Sequence, residues 1–453
     1  MSLTDVFLVT VVLGSLSAFF TRAAAGTVIS AAAAYWIAWT VLLLSGIYCE
    51  AYDLFDSPIS ETATGLILKS HIGVILGVFI ASLISGRKRV RQWITDDESI
   101  TSEQFLRGNF KLIVGILCAV ACAHLIENIS RIGLGALYGN LIYDLRVSAL
   151  GRELSPLGLI SSYLQAFLMP LAVVMARADR RYGFRAGRLA ALIALGGLHG
   201  FGLGGRGFLA APVIYYGVAL VAGKARDGSR LPVGWRKGFG LMCGCLVAFS
   251  LLGAWRGQIG DAQQGSFQEN LVKLPLGWIG SSLSAIEPAS VVYSEIRMGG
   301  RLTFDGISSL LEKTRVLPGD IKLTVAQQRE AIRIRFGNSA SVIPPTAIPF
   351  LIGDVGEANL ILYMSLILGI CELLTIWIVP SSITKHVLAG LAFTAAALMI
   401  QGVNVLTGYN LVMIAWALVL DTVMVAARVR HQSPRVGSLD YHHPAFAVRH
   451  GLQ

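Results

Sequence analysis

Apolar blocks long enough to cross a bilayer recur along almost the whole chain, and no other feature constrains the fold as tightly. A soluble core has no use for so many uninterrupted apolar runs of about 20 residues, whereas the hydrocarbon layer of a membrane demands that length. The blocks fall at 6–20, 27–48, 64–85, 110–127, 156–176, 188–204, 207–222, 239–254, 358–380, 386–403 and 409–427. These eleven segments predict an all-α polytopic membrane protein, because only a helix satisfies its own backbone in lipid without closing a barrel. Composition agrees. Of 453 residues, 54% are hydrophobic and 14% charged, with a mean hydropathy of +0.65. Arg22-Ala23-Ala24-Ala25-Gly26 after the first block has the look of a leader-peptide cleavage site, but the residues before the block carry Asp5 and no Lys or Arg. A basic start is what such a leader needs, so the block is expected to be a first membrane helix.

Net charge of +10 would suggest nucleic acid in a soluble domain, yet here it sorts by side of the membrane. Arg87-Lys88-Arg89-Val90-Arg91, the basic residues between Arg177 and Arg188, those between Lys224 and Lys237, and Arg428-Val429-Arg430 occupy alternate connections. The positive-inside rule places these in the cytoplasm. Outside then lie Cys49 to Ala63, Asn128 to Ser155, the Gly205-Arg206 turn, the interval Trp255 to Glu357 and the turn Asn404 to Gly408. The expected organisation is an N-terminal bundle of about eight helices (1–254), a large outer loop (255–357), C-terminal helices (358–430) and a cytoplasmic tail (431–453) holding four of the eight histidines. The six cysteines, at 49, 118, 122, 243, 245 and 371, lie in or beside apolar blocks without His or acidic partners at ligand spacing, and read as packing residues.

The outer interval is far longer than a connection between neighbouring helices requires, which marks it as functional or independently ordered. Glu287-Pro288 opens a helix toward Met298 that Gly299-Gly300 ends. Another follows Asp305 and stops before Pro318-Gly319, and a capping box at Thr324 and Gln327 opens a third toward Phe336. The interval carries ten basic and ten acidic residues, so it is no uniform basic patch. Arg329 and Arg333, four apart, share a helix face and repel unless an anion lies between them. As a group, Arg256, Arg297, Arg301, Arg315, Arg329, Arg333 and Arg335 suit a pyrophosphate, which guanidinium forks grip in bidentate fashion. Each alone also fits a solvated helix face.

With no histidine from Trp255 to Glu357, a general base from this interval must be a carboxylate: Asp261, Glu287, Glu295, Asp354 or Glu357. His124 and His199, near the outer ends of their helices, are the candidates from the bundle. Glu50, Asp53 and Asp56 read as an acidic solvated loop rather than a cation site. Gly202-Leu203-Gly204-Gly205-Arg206-Gly207 matches the letters of a dinucleotide fingerprint but joins two apolar helices, where that fingerprint needs a strand before it. Gly196, Gly200 and Gly204 instead permit close helix packing, ending in a turn that displays Arg206 at the outer face for phosphate or for lipid headgroups. Lys69, His71, Glu372 and Asp421 lie inside apolar blocks, where ionisable groups are costly and tend to be paired or functional; they keep a secondary transporter in view.

Gly204-Gly205-Arg206-Gly207, together with Pro344-Pro345-Thr346-Ala347-Ile348-Pro349-Phe350-Leu351-Ile352-Gly353-Asp354-Val355-Gly356, resembles the oligosaccharide repeat unit polymerases of the Wzy type. Those proteins show a glycine-flanked arginine at an outer helix junction and a proline-containing stretch ending in an Asp/Asn-x-Gly step before a late helix. The resemblance implies a GT-C-like fold in the bacterial inner membrane with its site facing the periplasm. It implies transfer of a nascent glycan from undecaprenyl pyrophosphate to the terminal sugar of a new lipid-linked repeat unit, for O-antigen or exopolysaccharide. It also implies a chain-length-regulating co-polymerase as a partner, no nucleic acid, and no metal or cofactor. Under this reading Arg206, Arg329 and Arg333, with Arg256, Arg297 and Arg301 behind them, take the pyrophosphate. Glu357, Asp354, Glu295 and His199 are the catalytic candidates. An O-antigen ligase is the neighbouring alternative, and the absent loop histidine disfavours it.

Overall fold

A computed structural model describes residues 1–25, 30–52, 59–86, 106–133, 155–202, 211–220, 279–336, 346–376, 382–400 and 407–432. Within them every regular element is helical. Six helices are long and apolar enough to cross a membrane, and the protein is a multi-pass membrane protein of all-α class. Exposed apolar stripes fit that solvent: Leu8, Val12 and Phe19 on α1 (Leu3–Ala25), Phe79, Ile80 and Leu83 on α3 (Glu61–Gly86), and Leu362, Leu366 and Ile370 on a later helix, Leu360–Ile376.

A first layer joins α1, α2 (Ala31–Ala51) and α3 to that late helix. The Met1 ammonium reaches Glu61 at 3.3 Å and His71 meets Thr10, so α1 and α3 run in parallel. α2 returns between them, with Trp36 beside Gly14 and Leu3 beside Gly46. A second layer contains α4 (Phe110–Ile132), α5 (Pro156–Ala166), α6 (Leu168–Tyr182), α7 (Ala186–Gly202) and α8 (Ala211–Leu220). The block expected at 156–176 is one apolar span, Pro156–Arg180, kinked at Phe167 where α5 passes into α6. Pro170 has no N–H to give the carbonyl one turn back and its ring clashes there.

As far as Phe336, the described part of the long interval comprises residues 279–284, α9 (Ile286–Tyr293), α10 (Asp305–Lys313) and α11 (Ile321–Phe336); Ile279, Leu283 and Ile286 pack into the first core, and Ala289, Val292, Tyr293, Leu302, Ile321 and Ile332 form a small core of their own, a cap on the bundle. α9 stops at Tyr293, six residues before Gly299 of the glycine pair expected to end it; Glu295 and Ile296 close a turn onto Val292 and Tyr293, and Met298 and Gly299 bond to the last turn of the next helical segment, 347–355. α11 starts a turn before the expected capping box. Its cap is Asp320, whose Oδ1 accepts from Leu323 N at 3.1 Å, while Thr324 Oγ1 donates back to the Asp320 carbonyl. Behind the cap follow α12 (Ala347–Val355), a single 3-10 turn (Glu357–Asn359), α13 (Leu360–Ile376), α14 (Ile383–Leu398) and α15 (Gly408–Gln432). α14 joins the layers, giving Ala392 and Ala396 to the first core and Ile383, Val387 and Leu391 to the second.

α3 and α13 lie side by side and parallel, because glycines let their backbones touch. A Cβ on Gly73 would sit 2.6 Å from the Ile361 carbonyl oxygen, and one on Gly369 would sit 3.3 Å from the Gly77 carbonyl oxygen. The small-x-x-x-small signal in Gly73-Val74-Ile75-Leu76-Gly77 is visible in the sequence and escaped the sequence reading, which found its glycine spacing at 196–204 instead.

Candidate functional site

The proline-containing stretch that ends in Asp354-Val355-Gly356 forms α12, wedged under the cap. Its first N–H, on Ala347, is satisfied by the Met399 carbonyl at the end of α14 (2.7 Å). At its last turn the chain pairs with the cap: Met298 N donates to the Gly353 carbonyl and Gly299 N to the Asp354 carbonyl, both at 2.9 Å. Gly299 and Gly300 then reverse the backbone at φ +60° and +92°, the region that glycine enters without steric cost. That reversal aims Leu302 N (2.9 Å), Thr303 N (2.8 Å) and Thr303 Oγ1 (2.6 Å) at the carboxylate of Asp354. Asp354 is therefore a buried clamp between cap and bundle. Burial raises its pKa and outweighs the bonds from Thr303, Leu302 and Gly300 that pull it down.

Gly356, at φ +81°, lies under the Arg297 guanidinium, where a Cβ would come within 3.1 Å of Nη2. Arg297 Nη1 donates to the Ser294 and Ile296 carbonyls at 2.8 Å each, which fixes the fork over the turn. The next residue is Glu357, half-exposed, accepting from Lys69 Nζ at 2.6 Å. The glycine contact between α3 and α13 brings that lysine into reach. Asp354, Arg297, Glu357 and Lys69 thus meet at one rim, where the cap joins the heads of α3 and α13.

The other cap arginines are engaged individually. Arg335 holds Glu295 through both guanidinium arms, Arg301 holds Glu312, and Arg333 turns to Glu330 on its own helix. These bonds keep the Glu295 and Glu330 carboxyls below the ordinary glutamate range, the hydrogen bond from the arginine being the larger cause in each. Arg329 makes no ion pair among the described residues and stays exposed. Its charge acts on the hydroxyl of buried Tyr293, whose pKa burial pushes up to about 12. Arg329 and Arg333 share α11 as expected, and Glu330 lies between them in sequence. His199 is on α7 beside His124 of α4, in the second layer and apart from this rim. Arg206 and Arg256, with Gly204 to Gly207, Pro344 and Pro345, lie outside the described residues.

The ionisable groups of the apolar blocks have structural partners that the sequence reading missed. Glu372 on α13 accepts from Thr21 Oγ1 (2.6 Å) and from Ala32 N (3.0 Å), while Thr375 Oγ1 takes Ala31 N (3.3 Å). Two side chains of one helix thereby cap the start of α2. Asp421 on α15 does the same for α14, accepting from Ile383 N (2.8 Å), Thr384 N (3.0 Å) and Ser382 Oγ (2.7 Å). A carboxylate there meets both orphan N–H groups and the positive end of a helix dipole. His71 bridges three helices. Thr10 Oγ1 donates to the Val6 carbonyl, so it accepts from His71 Nε2 at 3.0 Å, and Tyr35 Oη meets Nδ1 at 2.9 Å inside a ring of Tyr35, Trp36 and Trp39. The signal was a serine, Ser30 or Ser382, just before each helix whose remaining N–H groups needed an acceptor. No protein-family model, characterised protein or solved structure matches the chain.

Proposed function

We propose that the protein is a GT-C-like glycosyltransferase of about eleven spans that polymerises lipid-linked glycan repeat units at the outer face of the bacterial inner membrane. One observation carries the reading most directly: the half-exposed carboxylate Glu357 and the guanidinium of Arg297 flank the Asp354-Val355-Gly356 step at the head of a membrane helix. The carboxylate suits the acceptor half of a glycosyl transfer, and the arginines of the cap suit the donor half. The acceptor hydroxyl oxygen bonds to the donor's anomeric carbon, the bond from that carbon to the pyrophosphate oxygen breaks, and the electron pair leaves with the lipid pyrophosphate. Glu357 takes the hydroxyl proton once Lys69 yields one of its oxygens, and Glu295 is the second candidate base. Arg329, free of a carboxylate, leads the residues that would receive the developing pyrophosphate charge, with Arg206, Arg333, Arg256, Arg297 and Arg301. In this reading Asp354 holds the cap in register, and His199 takes no part at the rim.

Deleting the gene is expected to leave single repeat units on the lipid carrier, and purified protein is expected to lengthen them. Unchanged polymer length on deletion would overturn the proposal. Transfer of finished glycan to a lipid core would make the protein a ligase. The residues that favoured a transporter, Lys69, His71, Glu372 and Asp421, each have a partner within the chain, which supports a structural role for them.

A further inference from the structure

The cap helix α10 is amphipathic in the wrong sense for a soluble cap. Gly306 and Ser308 face inward, while Ile307 and Leu310 face out, Leu310 at 55% exposure, followed by Val316 at 66%. Its polar charge is also sorted. Glu312 turns in to Arg301 and to Ile321 N, so the acid is spent within the cap. Lys313 and Arg315 remain exposed and without an ion pair among the described residues. The helix ends with Val316 N bonded to the Leu311 carbonyl (2.8 Å) and Arg315 N to the Glu312 carbonyl (2.9 Å). That closure puts Arg315 at φ +59°, a position where glycine is usual and where Arg315 is the one non-glycine exception among the described residues. α10 packs against α15, whose Leu418, Val419 and Val423 are exposed on the bundle surface.

We infer that residues 305–317 form an interfacial foot, seating Ile307, Leu310 and Val316 among the acyl chains of an anionic phospholipid leaflet, with Lys313 and Arg315 on its phosphates. The inference rests on the membrane-spanning reading of the bundle and is independent of glycan transfer. A leaflet fits both parts of this surface: the exposed apolar side chains suit acyl chains, and the cations complement acidic headgroups.

The test places an environment-sensitive fluorescent amino acid at Leu310, by amber suppression, in the full chain in nanodiscs of phosphatidylcholine with or without phosphatidylglycerol. Lipids brominated on the acyl chain should quench it more than aqueous iodide does, with the reverse order for the same probe at exposed Gln327 on α11. Adding phosphatidylglycerol should strengthen the lipid quenching. Lys313→Gln and Arg315→Gln, both exposed and so compatible with folding, should lower the ratio of lipid to iodide quenching, each weakening the docking equilibrium about fivefold. Iodide quenching at 310 equal to that at 327 would overturn the inference. So would protection from both quenchers, which would mean a second protein copy covers the face. A ratio that neither phosphatidylglycerol nor the two variants change would overturn the role given to the cations.

Discussion

Glu372, buried in the bundle, and part-buried Asp421 accept from backbone N–H groups at the starts of neighbouring helices, whereas Glu357 and Glu295 sit half-exposed at the capped end and accept from Lys69 and Arg335. The contrast separates architecture from chemistry. A buried carboxylate on a helix start cannot release its donors without leaving them unsatisfied in an apolar medium. A rim carboxylate can let go of an ammonium or a guanidinium, since water takes over at little cost. Asp354 stands between the classes: it is at the rim in position, and it is a clamp in bonding.

Removing the deepest of these groups should do the most damage. Glu372→Ala leaves Thr21 Oγ1 and Ala32 N without an acceptor and should cost about 3 kcal/mol or more, read as a lowered unfolding temperature in detergent. An unchanged temperature would mean that Glu372 is not architectural, and would reopen transport. Gly77→Leu should come next, because the Gly369 backbone lies against Gly77 and the helices must part; overpacking of this kind costs about 1–3 kcal/mol. It should also weaken the Lys69–Glu357 contact, which depends on that approach. Asp354→Ala should cost about 2 kcal/mol and act locally, speeding hydrogen exchange at Leu302 and Thr303 while leaving α13 protected. Glu357→Gln should change stability by less than about 0.5 kcal/mol, as for exposed ion pairs.

The smallest effect has a sign that divides the classes. The folded-state pKa of Asp354 is raised, so the native state binds more protons than the unfolded chain between the two pKa values, and that contribution to stability falls as pH rises through the window. The pKa of Glu295 is lowered, so its contribution is present above the unfolded value and is lost as pH falls through the folded one. Hydrogen exchange corrected for intrinsic rates should show opposite pH trends at Thr303 and at the last turn of α11. Trends of the same sign would break the distinction.

Much of the fold is legible in the sequence, because the length of an apolar block is fixed by the thickness of a bilayer and needs no tertiary knowledge. The ends of the helices at 110, 156 and 408 follow from the blocks to within a few residues. The kink at Phe167 needed attention to Pro170, and the cap of α11 needed a choice between Asp320 and Thr324, two acceptors of similar merit about one turn apart. The site is less legible for a physical reason. Glu357 and Glu372 are both single acids at or in an apolar helix, and only the partners brought from α1, α2 and α3 tell a rim carboxylate from a buried cap. Lys69 read as an isolated intramembrane charge until Gly73 and Gly77 placed it against Glu357. Arg329 and Arg333 looked equivalent by spacing, and Glu330 makes them unequal.

The most direct test is elongation of a lipid-linked repeat unit by purified, reconstituted protein, with wild type, Glu357→Gln and Arg329→Ala measured beside their unfolding temperatures. The account predicts polymer from wild type, a loss of about a hundredfold or more for Glu357→Gln, a clear loss for Arg329→Ala, and unfolding temperatures close to wild type for both. Wild-type elongation by Glu357→Gln, or no elongation by the wild type from a lipid-linked unit that its own cells polymerise, would contradict it.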